Sequence, residues 1–170
     1  IYACLKPVRA WHHRYVVAGY LLLGVFSGSL LVWALTTLSA ASTQGFSILL
    51  GLLATLAIAC AILKLRYWRY LDSAPEVDAG DATGLKSMGS VGSFEQPHTE
   101  ENYLTHEMGF RIARKHSRRL RMICLFAGFV IPAVLALLSW VAPALNAPAA
   151  WIALFSGMTG IFIERWLFFA

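Results

Sequence analysis

Apolar and charged positions fall in long alternating blocks along this chain. Residues 16–38, 46–63, 122–141 and 149–163 contain no Asp, Glu, Lys or Arg. A helix rises about 1.5 Å per residue, so ~20 apolar residues cross the ~30 Å hydrocarbon core of a bilayer. The pattern predicts an all-α, polytopic transmembrane helix bundle with spans at 16–38, 45–65, 122–142 and 148–170. The last span continues past Glu164 and Arg165 through Trp166, Leu167, Phe168 and Phe169. Residues 1–15 read as a charged connection after a preceding helix, because the first five residues resemble a closing helical turn. Further spans are expected on that side.

The charged connections have distinct characters. Residues 66–102 form a Gly-rich loop, with Gly80, Gly84, Gly89 and Gly92 spaced as turn formers. Residues 103–121 predict an amphipathic basic helix: Asn102 is a suitable N-cap, and Glu107 and Arg111 stand at the favourable i,i+4 spacing. Every Lys and Arg except Arg165 lies in 1–15 or 64–121, whereas 36–44 and 143–148 hold none. Basic residues in connections close to membrane helices stay in the cytoplasm. Both charged connections are therefore expected on the cytoplasmic face, with Lys64, Arg66 and Arg69 closing the second span at that interface. Within the spans, Gly24 with Gly28, Gly51 with Thr55 and Ala59, and Ala153 with Gly157 and Gly160 offer small-residue surfaces for close helix packing. Pro132 should kink the third span unless a neighbour satisfies the carbonyl it leaves without a donor.

Composition narrows the function classes. Only 14% of residues are charged and 58% are hydrophobic, against ~25% charged for soluble domains. The net charge of +5 sits at helix ends, where topology and anionic membrane lipid explain it, so no nucleic-acid partner is expected. Cys4, Cys60 and Cys124 form no closely spaced pair, so neither an iron–sulfur cluster nor a zinc site is expected in this chain. His12, His13, His98, His106 and His116 all lie in the charged connections. A transmembrane haem needs axial His inside facing helices, so no haem is expected in these spans.

Two groups of residues carry candidate chemistry. Glu164 with Arg165 is the ionisable pair inside an apolar segment. Such charges are costly in a membrane and often functional, but the same pair can simply mark a helix end at the interface. Trp11 and His12 come from one charged connection and His106 and Glu107 from the other. Together with Glu164 and Arg165 they offer aromatic stacking, hydrogen bonds and proton exchange at one membrane face, the needs of a quinone headgroup. The alternative for any one of them is a solvated loop residue.

At those residues the chain resembles the dimethyl sulfoxide reductase membrane anchor subunits (DmsC-type). The likeness rests on IYACLKPVRAWHHR before a span, PHTEENYLTHEMGFRIARKHSRRLR before another, and ERWLFFA at the end of the last. It implies the C-terminal half of an eight-helix protein of the bacterial plasma membrane. Such an anchor tethers an iron–sulfur electron-transfer subunit and a molybdopterin catalytic subunit, and passes them electrons from menaquinol or another exchangeable quinol in anaerobic respiration. Arg111, Arg114 and Lys115 would then be candidates for docking the partners. Much of the quinol chemistry of that family belongs to its N-terminal half. Its best-known members also serve periplasmic catalytic subunits, whereas the charge pattern here puts the motif-bearing connections in the cytoplasm. Two rival readings are a transporter or channel component, favoured by Pro132 and the Glu164–Arg165 pair, and a quinone-linked anchor of the polysulfide or nitrite reductase type.

Overall fold

A computed structural model describes residues 2–4, 10–38, 44–73, 80, 83–92, 113 and 115–169. Four long helices dominate: α1 (Arg14–Thr36), α2 (Gln44–Asp72), α3 (Ser117–Val141) and α4 (Asn146–Phe169). Each is long and apolar enough to cross a membrane. α1 packs against α2 and α4, and α3 packs against the same two helices, so the four form an up-and-down ring. The core is apolar, built around Phe26, Leu30, Trp33, Leu50, Leu53 and Phe129. The outside is as apolar as the inside: Ile48 is 76% exposed, and Phe155 and Phe162 are each 67% exposed. A helix hydrophobic all round needs an apolar surround, so this is a membrane protein.

The ends of α1 show how local chemistry fixes its limits. His13 is the N-cap, its Nδ1 accepting the Tyr15 N–H at 3.2 Å, the task a Ser or Asp usually performs. Burial, with Arg14 and His12 beside it, lowers the His13 pKa, which favours the neutral ring this cap requires. At the other end the Thr36 and Thr37 hydroxyls donate to the carbonyls of Trp33 and Ala34, in the last turn where regular helical donors run out.

Pro132 does not act as a simple kink. The five residues before it that end at Val130, Phe126–Val130, run as a π-helical turn within α3, and the Ile131 N–H reaches back to the Phe126 carbonyl. In that register the donor Pro132 lacks would have served the Ala127 carbonyl. The Ser156 hydroxyl of α4 supplies it instead, donating to Ala127 O at 2.7 Å. α3 and α4 meet closely here: a Cβ on Gly160 would overlap the backbone of Gly128, and one on Gly157 would overlap the Leu30 side chain. The small-residue surface on the last span is therefore used. The one expected from Gly24 and Gly28 is not: among the described residues, nothing lies within 4 Å of a Cβ placed on either. It is Gly19 that turns toward α2.

Spans are longer than the uncharged runs at the basic ends. α2 continues to Asp72 and α3 begins at Ser117, so Lys64 and Arg121 both stand on helical turns. The Gly-rich connection is described only in part. Gly84 and Gly89 adopt φ of 71° and 140°, backbone angles that suit glycine in a turn. The helix expected at 103–121 lies mostly outside the described residues, as do His106, Glu107, Arg111 and Arg114.

The two charged connections meet at one end of the bundle. Tyr67 of α2 donates to Ala10 O at 2.9 Å, Trp11 Nε1 donates to Phe168 O at 3.1 Å, and Arg121 of α3 pairs with Asp72 of α2. By the basic-residue rule that end is expected to face the cytoplasm. Reporter fusions at Ser42 and Gly84 test this: alkaline phosphatase should be active at Ser42 and silent at Gly84, and the reverse pattern overturns the assignment.

Candidate functional site

Two charged residues meet inside the bundle near its basic end. Counting back from the helix ends, Lys64 lies about two turns inside α2 and Glu164 about one and a half turns inside α4. Lys64 is 4% exposed and Glu164 2%. The Lys64 ammonium pairs with Glu164 Oε1, across the diagonal of the ring, while Arg165 binds Oε2 through Nε and Nη2. Both carboxylate oxygens therefore meet a cation, the arrangement a charge needs to stay in a low-dielectric interior.

Aromatic rings complete the shell. The Arg165 guanidinium stacks 4.1 Å from the Tyr20 ring centroid and 5.2 Å from that of Phe168. The Lys64 ammonium lies 5.1 Å from the Tyr67 ring. Gly19 of α1 faces it, and a Cβ there would sit 3.7 Å from Lys64 Nζ, in ordinary van der Waals contact. Trp11 stacks on Phe168 at 6.0 Å, so the first charged connection is pinned over the end of α4.

A cleft of about 320 Å³ opens beside this cluster. Tyr67, Trp68 and Leu71 of α2 form one wall, and Ser117 and Arg121 of α3 another. Glu164, Leu167 and Phe168 of α4 close it, and Ala10 and Ala113 complete the lining. Arg121 holds Asp72 at 2.7 and 2.9 Å and lies 5.5 Å from the Trp68 ring. The cleft thus combines apolar and aromatic walls with a hydroxyl, a guanidinium, a phenol and a carboxylate, in nearly equal measure. Such a lining suits a flat, partly polar ring that needs a few hydrogen bonds.

The predicted site residues divide accordingly. Glu164, Arg165 and Trp11 come together around Phe168. His12 is exposed and turns away, with Nδ1 2.7 Å from the Ala3 carbonyl. Lys115 is exposed beside His116, Arg118 and Arg119 at the start of α3. Lys64 is the member that sequence reasoning placed differently. It stands at the interface by sequence order but is buried by helical phase. Residues 50, 53, 57, 60 and 64 make one helical stripe, and all five are buried.

The architecture and site together define a four-span membrane bundle with an ionic cluster and a ligand-sized cleft at its basic end. Over the whole chain it is similar to a protein of Allochromatium vinosum that is one of the subunits of a sulfite dehydrogenase, at 30% identity across 171 aligned residues. The alignment covers 51% of that protein, so the chain spans about half the length of the curated relative it matches. No protein-family profile matches the chain, and no solved structure does.

Proposed function

We propose that this chain belongs to a membrane anchor subunit of a molybdopterin and iron–sulfur oxidoreductase, and that it exchanges electrons with quinone. The observation that carries the reading is the alignment of the entire chain to a subunit of a sulfite dehydrogenase. The dimethyl sulfoxide reductase type of anchor, to which the motifs also point, has the same division of labour. Partners would be an iron–sulfur electron-transfer subunit and a molybdopterin catalytic subunit, on the bacterial plasma membrane. Dimethyl sulfoxide reduction would draw electrons from quinol, whereas sulfite oxidation would return them to quinone. One site serves both directions, because a quinone carries two electrons and two protons each way.

The residues present fit such a headgroup. The cleft is within the ~300–1,000 Å³ range of small-molecule sites. Trp68, Leu167 and Phe168 would exclude water from the ring, while Ser117 and Arg121 are placed to donate hydrogen bonds to its oxygens. Glu164 lines the same space and can hold a proton at its carboxylate. Docking of the soluble partner is assigned to the basic segment containing Arg111, Arg114 and Lys115, whose charges suit an acidic protein face. The rival transporter reading draws on the buried ionic cluster, but the described core beyond it, toward the other face, offers no further ionisable group except the thiols of Cys60 and Cys124.

The test separates tethering from electron exchange. Replacing Arg111, Arg114 and Lys115 together with Ala should release the partner into the soluble fraction. In complex that still assembles, Glu164→Gln should slow quinone-linked turnover by ~10-fold or more, the scale of losing a positioned acid–base group. Turnover with an artificial dye that serves the catalytic subunit directly should persist. Unchanged quinone-linked turnover would remove Glu164 from the site, and full retention of the partner would remove the basic segment from docking.

A further inference from the structure

We infer that His13 is a pH-operated latch: neutral, it ties the first charged connection to α1 and α2, and protonated, it lets go of the first turn of α1. The latch works whatever occupies the cleft.

Several contacts converge on this half-buried residue. Its Nδ1 accepts the Tyr15 N–H at 3.2 Å, satisfying a donor that the start of a helix leaves open. Its ring centroid lies 4.1 Å from that of Tyr70, in the last turn of α2, and 4.6 Å from that of Tyr15. The His13 N–H donates to Trp11 O at 2.9 Å, and the His13 carbonyl accepts the Val16 N–H at 3.0 Å. One residue thus joins the connection to two helices. The neighbours it steadies reach the cleft. Ala10 belongs to the cleft lining, and Trp11 stacks on Phe168, which is also part of it.

The usual caps, Ser, Thr, Asn and Asp, keep their acceptor unchanged between pH 5 and 8; a histidine does not. Accepting at Nδ1 places the proton of the neutral ring on Nε2. A second proton on Nδ1 would set one N–H against another, so the cap bond is lost. It would also add a positive charge at the positive end of the α1 dipole, beside Arg14.

The charged and titratable groups described around the ring are His12 and Arg14 beside it, Tyr15 on α1 and Tyr70 on α2. The tyrosine faces favour a cation. Burial opposes it most, followed by Arg14 and His12, and together they hold the His13 pKa below its ordinary 6.5. Because folding lowers this pKa, the stability the cap contributes is fully present above about pH 6.5. It is lost as pH falls through the folded value. Two ties do not involve the imidazole, Tyr67 to Ala10 O and Trp11 Nε1 to Phe168 O. Protonation therefore loosens the connection at its α1 end while its other end stays attached.

The test uses the complete chain, isotope-labelled, in lipid nanodiscs, and follows it by NMR with hydrogen exchange. Near neutral pH the His13 ring nitrogens should report the Nε2–H tautomer. Between about pH 7.5 and about pH 5, the protection factor of the Tyr15 amide, corrected for intrinsic exchange, should fall ~5-fold, the scale of losing a helix cap. That fall should track the His13 titration, with its midpoint below about 6.5. His13→Asn keeps a capping acceptor that does not titrate, so protection should stay high throughout, whereas His13→Ala should lower it at both ends of the range. A pH response that persists in His13→Asn, an Nδ1–H tautomer, or Tyr15 protection that ignores pH in the unaltered chain overturns the inference.

Discussion

Replacing Glu164 with Leu should destabilise the bundle by about 3–5 kcal/mol, the scale of stripping a buried charge of its partner. The Lys64 ammonium and the Arg165 guanidinium would then confront each other in the space the carboxylate had neutralised. Lys64→Met should cost clearly less, although it removes the same ion pair. The cluster would fall from +1 to neutral, and Arg165 would still hold both roles of partner and hydrogen-bond donor to Glu164. Combining the two changes should recover part of the loss caused by Glu164→Leu, since it leaves only Arg165, which is partly exposed and stacked on rings. Unfolding of purified protein in mixed micelles, followed by circular dichroism, measures the order. Equal damage from Lys64→Met and Glu164→Leu would show that charge balance is not what the cluster provides.

A second large effect is expected at the α3–α4 crossing. Gly160→Ala should cost about 1–3 kcal/mol, and Gly160→Leu more, because the first added carbon already overlaps the Gly128 backbone and neither helix can give way by rotating a side chain. Gly24→Ala is the matched control. No described atom lies near the added methyl, so it should be neutral or stabilise the helix by up to ~1 kcal/mol. The same micelle unfolding assay applies. If Gly24→Ala proved as harmful as Gly160→Ala, close contact would not be the cause of either.

That contrast also shows what the sequence could and could not reveal. Both glycine patterns have the right spacing, but spacing says nothing about which face meets a neighbour. The helical phase of the surrounding core does. Residues 150, 153, 157, 160, 164 and 168 make one buried stripe on α4, and Gly24 and Gly28 lie off the α1 stripe of Leu23, Phe26 and Leu30. Glu164 was legible as an unusual charge because apolar residues flank it on both sides. Lys64 was not, because Arg66 and Arg69 follow it and disguise it as a helix-end cation. Its position one turn after Cys60 on a buried stripe was the available signal. The four spans were readable because lipid demands uninterrupted apolar length. The π turn was not, since it depends on Pro132 together with a distant serine on the next helix.

The bond from Ser156 to Ala127 has a mechanical consequence. A hydroxyl reaching the one carbonyl that its own helix leaves vacant can be satisfied at a single axial register and a single rotation. Sliding α4 by one residue, or turning it, would strand an acceptor in an environment without water to replace the donor. α3 and α4 are thereby keyed together like a splined shaft.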